Sequence, residues 1–138
     1  MSGGGTMMAR AAILVVEDET SLRTTMCAAL TLMGFMTYQA ESVDDALKIL
    51  GAEHVDAIVL DIRLPDRTGM QTSGLHLLRF VRATPEHAHI PVLIFTGAAL
   101  SPADEETIRI NGGHVFYKPQ PYRVLIDQLN ELLNTSAH

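Results

Sequence analysis

The stretch Ala57-Ile58-Val59-Leu60-Asp61-Ile62-Arg63-Leu64-Pro65 constrains this chain more than any other. It opens with an apolar run carrying β-branched residues, too short for an ordinary helix, and it closes on a proline. Such a run reads as a strand buried on both faces, as in a parallel sheet. Asp61 follows at once. A carboxylate at the end of a buried strand is costly unless it is solvated, paired or holding a metal. The carboxyl ends of strands are also where open α/β sheets bind ligands. Taken alone, Asp61 reads equally well as a cap on the turn before Pro65, and the rest of the chain has to decide.

Similar runs recur along the chain. Residues 11–16 form a first strand that leads into Glu17-Asp18-Glu19, and residues 35–40 form a second. The third covers 55–60. The fourth covers 90–95 and leads into Thr96-Gly97, with Pro91 near its start, where a missing donor is tolerated. The fifth, 114–117, is followed by Lys118-Pro119. Helical spacing separates the strands. From Thr20 the positions Leu22, Met26, Ala29, Leu30 and Met33 share a face, and Gly34 is a natural stop. Cys27 is given no chemical role. Ser42 is an N-cap for a helix with Asp44 and Asp45 in its first turn, running to about Gly51 with Val43, Ala46, Leu47 and Leu50 inward. A third helix is expected over 74–83, on Leu75, Leu78 and Val81, ended by Thr84-Pro85. Ser101-Pro102-Ala103-Asp104-Glu105-Glu106 combines an N-cap serine, a proline at the first helical position and an acidic first turn, and Gly112-Gly113 ends that helix. The last helix covers 122–133, on Leu125, Leu129 and Leu132. Between Asp61 and the third helix lies a polar loop with two glycines, longer than most such connections. Strand–helix alternation repeated five times means a parallel sheet with helices on both faces.

Composition sets the outer limits. At 138 residues and 47% hydrophobic, the chain is expected to form one domain with its own core. A net charge of −6 argues against a nucleic-acid surface. A single cysteine excludes an internal disulfide and fits a reducing compartment. With no membrane-length apolar run and no signal-peptide pattern, a cytoplasmic location is expected. Residues 1–10, which include three successive glycines, read as a flexible segment of the kind cloning leaves behind. The folded domain is expected over 11–134, with 135–138 frayed.

All parallel strands point the same way, so their carboxyl ends share one edge. That edge gathers Glu17, Asp18, Glu19, Asp61, Thr96 and Lys118. Two carboxylates about 4 Å apart repel by roughly 4 kcal/mol at an effective dielectric near 20. A divalent cation relieves this, and an all-oxygen site suits Mg2+, while the lack of histidine or cysteine there argues against zinc. Asp61 can act as a nucleophile and form an aspartyl phosphate. The metal and Lys118 would neutralise phosphoryl oxygens, and the Thr96 hydroxyl could bond one of them. Each part has a plain alternative: a solvated helix-start cluster, a loop cap, a surface lysine. Their joint placement at strand ends favours the site.

With these residues identified, the sequence resembles the response-regulator receiver domain of two-component signalling. The matching pieces are Ile13-Leu14-Val15-Val16-Glu17-Asp18-Glu19, Leu60-Asp61-Ile62-Arg63-Leu64-Pro65, Phe95-Thr96-Gly97 and Lys118-Pro119, spread over roughly residues 11–134. The resemblance implies an α/β, flavodoxin-like (βα)5 fold with strand order 2-1-3-4-5. It implies that Asp61 accepts a phosphoryl group from a histidine kinase or phosphotransfer protein. It implies Mg2+ held by Glu17, Asp18, Asp61 and the backbone carbonyl of Arg63, with Thr96 and Lys118 contacting the phosphoryl group. It also implies a signalling face made of the fourth helix, fifth strand and fifth helix, with homodimerisation through it left open.

Three features depart from the family pattern. Receivers usually carry a glycine about eight residues after the phosphorylated aspartate, opening the third helix. Gly69 has that spacing, yet the helix opening reads Gly74-Leu75-His76-Leu77, which implies an insertion of about five residues beside the site. Many receivers carry an aromatic three residues before the lysine, where this chain has Val115. Phe116 and Tyr117 adjoin it but should point differently. Arg63 and Ala98 occupy positions that influence phosphoryl lifetime in this family, and Arg63 is expected to modulate it.

The reading that results is a phosphorylation-dependent switch. It catalyses its own phosphorylation and dephosphorylation, has no metabolite substrate, and signals to a downstream protein without direct nucleic-acid or membrane contact. A stand-alone regulator and a fragment of a larger regulator or hybrid kinase both remain open. The alternative is a receiver-like interaction module unresponsive to phosphate. An aspartate-nucleophile phosphatase is disfavoured, because Arg63 stands where such enzymes place a second acid. None of the six histidines is placed like a phosphotransfer histidine, and His87 and His89 fall in an exposed loop.

Overall fold

Side chains alternate along each central strand between two apolar layers, and this alternation builds the domain. The computed structural model describes residues 10–65, 71–97, 99–118 and 120–136. In chain order it has β1 (Ala12–Val16), α1 (Thr20–Leu32), β2 (Met36–Ala40), α2 (Val43–Ala52), β3 (Ala57–Asp61), β4 (Arg63–Pro65), β5 (Gln71–Ser73), α3 (Leu75–Ala83), β6 (Val92–Thr96), α4 (Pro102–Ile110), β7 (His114–Tyr117) and α5 (Tyr122–Ser136). Leu14 and Val16 of β1, Ile58 and Leu60 of β3, and Val92 and Ile94 of β6 pack with Ala46, Leu50, Leu77, Leu78, Val81 and Ile108, so α2, α3 and α4 cover that face. Ile13, Val15, Ala57, Val59, Leu93 and Phe95 turn the other way, onto Met26, Cys27, Leu30, Leu125, Ile126 and Leu129 of α1 and α5.

The sheet order is β2-β1-β3-β6-β7, and every pairing in it is parallel. With the two short strands β4 and β5 set aside, this is the expected order 2-1-3-4-5, with helices on both faces. Helix ends follow the sequence signals. The Ser42 hydroxyl accepts from the Asp45 N–H and the Ser101 hydroxyl from the Asp104 N–H, both at 3.1 Å, each worth about 1 kcal/mol. Gly34, at φ +95°, closes α1 as its N–H donates to the Thr31 carbonyl and that of Phe35 to the Leu30 carbonyl.

Several expectations need correction. Met33, expected on the inner face, is the C-cap of α1 and is 61% exposed; Cys27, whose side the helical pattern left open, is buried on the face that meets the sheet. Strand boundaries move by one or two residues, and both β3 and β6 take in the polar residue at their ends, Asp61 and Thr96. The segment read as a loop after Asp61 contains an antiparallel hairpin, with Arg63 opposite Ser73, Leu64 opposite Thr72 and Pro65 opposite Gln71. Helix α5 continues past Leu133 to Ser136, two residues into the segment expected to fray. Residues 1–9, Gly69, Ala98, Pro119 and His138 lie outside the described residues.

Candidate functional site

Glu17 leaves β1 almost completely buried, 2% exposed. Its backbone is held on both sides: its N–H donates to the Ala40 carbonyl at 2.9 Å, and its carbonyl accepts from Arg23 Nη1 at 2.8 Å. Its carboxylate meets those of Asp18 and Asp61, with one oxygen from each lying within 4.8 Å of the others. Glu17 Oε2 accepts from the Glu19 N–H at 3.2 Å, while Oε1 is buried with no hydrogen-bond partner. The nearest cation is Lys118, whose Nζ is 3.7 Å from Oε1. Burial first, and the charge of Asp61 second, push the Glu17 carboxyl up to about 8. Glu19 turns outward and accepts from the Ser21 hydroxyl.

This donor set fits a hard divalent cation. Three carboxylates converge, one buried oxygen accepts no hydrogen bond, and among the described residues no nitrogen or sulfur ligand belongs to the cluster. Glu17, Asp18 and Asp61 are the residues that would hold it.

Asp61 ends β3 opposite Phe95 of β6, and its Oδ1 accepts from the Arg63 N–H at 3.2 Å. The Arg63 side chain is exposed. Gly74, the N-cap of α3, packs directly on the main chain here. A Cβ at Gly74 would overlap the Asp61 carbonyl oxygen and press on Leu60 Cδ1. Thr96 is 1% exposed at the end of β6, and its carbonyl accepts from the Lys118 N–H at 2.8 Å, which ties the ends of β6 and β7 together. Lys118 Nζ lies 4.6 Å from the centre of the Phe95 ring, a cation–π contact, and that ring is tilted against Phe116 with centroids 5.3 Å apart. Val115 packs half-buried in the layer of α2, α3 and α4 while Phe116 is buried in the opposite layer, as expected, but Tyr117, 46% exposed and two residues after Val115, shares the Val115 face rather than pointing away from it.

The structure thus brings Glu17, Asp18, Asp61, Thr96 and Lys118 to one edge. It adds three residues that sequence reasoning missed as parts of the site: Arg23 clamping Glu17, Phe95 under the lysine, and Gly74 against the Asp61 backbone. Gly74 was legible only as a helix start, and Phe95 only as core.

The family description "Response regulator receiver domain" matches residues 13–130. The chain belongs to that family. Among curated relatives, this receiver is 31% identical over 117 residues to the DNA-binding transcriptional regulator NtrC of Proteus hauseri, covering 85% of this chain and 23% of that protein. It is 28% identical over 127 residues to the response regulator MprA of Mycolicibacterium vanbaalenii, covering 91% of this chain and 51% of that protein. The receiver therefore spans about half or less of these relatives. A CheY-like receiver domain protein from Methanospirillum hungatei shares the fold at a TM-score of 0.83 and 22% identity, over 94% of this chain and 98% of that one. Among the described residues, no helix is long and apolar enough to cross a membrane.

Proposed function

We propose that this receiver is a phosphorylation switch in which Asp61 accepts a phosphoryl group from a histidine kinase or phosphotransfer protein in a Mg2+-dependent reaction. The observation that carries the reading is the convergence of Glu17, Asp18 and Asp61 around a buried oxygen that accepts no hydrogen bond, beside the Lys118 ammonium. An oxygen of Asp61 attacks phosphorus and forms the new P–O bond. The bond from phosphorus to the donor nitrogen breaks, and its electron pair stays on the donor imidazole. Asp61 reacts as a carboxylate, so no proton has to leave it. Lys118 moves its charge from Glu17 to a phosphoryl oxygen, and Thr96 sits at the neighbouring strand end to contact another. When bound, the cation neutralises charge among the carboxylates and phosphoryl oxygens, with the Arg63 carbonyl as the further ligand that the family pattern suggests.

The output is altered binding to a downstream protein in the cytoplasm. The name of the NtrC relative speaks of DNA binding. A nucleic-acid output in a longer protein is compatible with a receiver that does not itself touch DNA. Val115, in place of the usual aromatic, is the observation that favours the second reading, a receiver-like module unresponsive to phosphate.

Intact mass after incubation with acetyl phosphate tests the main reading. One phosphoryl adduct is expected, requiring Mg2+ and absent from Asp61→Asn. An unmodified protein with Mg2+ bound, after exposure to both acetyl phosphate and a phosphohistidine donor, would overturn it. The exposed Arg63 side chain should slow hydrolysis of the adduct by shielding one approach to it. Arg63→Ala is expected to shorten the adduct's half-life about two- to fivefold, the range of a single exposed charge, as followed by the decay of the mass adduct after the donor is removed.

A further inference from the structure

Of the hairpin beside Asp61, only Arg63 touches the reaction, and the paired strands behind it have no chemical role of their own. Two three-residue strands are marginal on their own, and two attachments hold these in place. Leu64 is fully buried in the layer under α2 and α3. The Gly74 N–H, at the far end, donates to the Ile62 carbonyl.

That second bond sets the direction of every peptide in the stem. Antiparallel pairs alternate between bonded and non-bonded. With Ile62 and Gly74 bonded, Arg63 and Ser73 form the next, non-bonded pair, and Leu64 and Thr72 form the bonded pair after it. The N–H and carbonyl of a residue in a non-bonded pair point away from the partner strand. The Arg63 N–H does so, and its acceptor is Asp61 Oδ1.

We propose that the β4–β5 stem is a positioning device for the phosphoacceptor site. Its ladder holds the peptides on either side of Arg63, so the Arg63 N–H orients the Asp61 carboxylate and the Arg63 carbonyl is presented away from β5. An untied loop would have to order that backbone each time a cation binds. This inference rests on the receiver reading above.

The test compares two proline variants by calorimetric titration with MgCl2 and by amide exchange of the metal-free protein. Thr72→Pro removes an N–H that the ladder uses. Ser73→Pro removes one that points away from β4. Thr72→Pro is expected to weaken Mg2+ binding about 5- to 20-fold, the effect of freeing roughly one residue of backbone, and to speed exchange at Arg63 and Leu64. Ser73→Pro should stay within about twofold of the parent. Unchanged affinity in a folded Thr72→Pro protein, or equal weakening by both variants, would overturn the hairpin's role alone. A parent that binds no Mg2+ would overturn the receiver chemistry and the positioning role with it. If Thr72→Pro does not fold, Thr72→Gly, which loosens the strand and keeps its N–H, is read against Ser73→Pro in the same way, with an expected two- to fivefold loss.

Discussion

At pH 8 without divalent metal, Asp61→Asn is expected to be more stable than the parent by about 1–3 kcal/mol, although it removes the phosphoacceptor. Carboxylate oxygens of Glu17, Asp18 and Asp61 lie within 4.8 Å of one another. At an effective dielectric near 20, one like-charge pair at that range costs roughly 3–4 kcal/mol. Solvent around half-buried Asp61, and the proton that Glu17 keeps, reduce that figure. The same geometry sets the pH dependence. The unfolded chain releases the Glu17 proton near 4.5, while the folded protein holds it up to about 8 because of burial and Asp61. Folding therefore takes up a proton between those values, so metal-free stability falls as pH rises through that window and levels off above it. Asp61→Asn removes one cause of the raised value and should flatten the slope. Mg2+ should stabilise the parent and have much less effect on the variant. Urea unfolding in a chelating buffer from pH 5 to 9 checks all of this. Far-UV circular dichroism is the suitable probe, since the chain has no tryptophan. An Asp61→Asn protein no more stable than the parent at pH 8 would show that the carboxylates do not strain the fold.

Gly74→Ala should destabilise the domain by about 2–3 kcal/mol, lowering Tm by roughly 8–12 °C. The added methyl would meet the carbonyl oxygen of Asp61, a main-chain atom at the end of a strand paired on both sides, where little can yield. Whatever relaxation occurs moves the Asp61 backbone, so Mg2+ affinity should fall along with stability. Gly51→Ala is the matched control. A Cβ there meets nothing within 4 Å, and the site is helical, so it should gain about 0.5–1 kcal/mol. Thermal unfolding of the two variants decides the matter, and a Gly74→Ala protein as stable as the parent would mean that α3 slides freely along the edge of β3.

Much of this architecture could be read from the residues. The strands declared themselves because Ile13-Leu14-Val15-Val16 and Ile58-Val59-Leu60 are apolar at every position, which only burial on both faces explains. The site followed from topology: once the strands are parallel, Glu17, Asp61, Thr96 and Lys118 must share an edge. The hairpin escaped because three-residue strands are shorter than any detectable periodicity. Phe95 beneath Lys118 escaped for a different reason. Phe95 lies in β6 and Lys118 just past the end of β7, and only the register that sets Thr96 opposite Tyr117 brings them together. Cys27 lay one position from Met26 on a helix whose rotation is set by the sheet rather than by its own pattern.

That cysteine gives the chain a built-in clock. Cys27 is its one thiol, 4% exposed beneath α1, and burial pushes the thiol's ionisation up. A thiol reagent in solution can therefore label only those molecules in which α1 has lifted from the sheet. The labelling rate times the breathing of the layer opposite the hairpin, separately from whatever the acidic edge is doing. Whether occupancy of that edge quiets the far side of the sheet becomes a question answered with a stopwatch and a single sulfur atom.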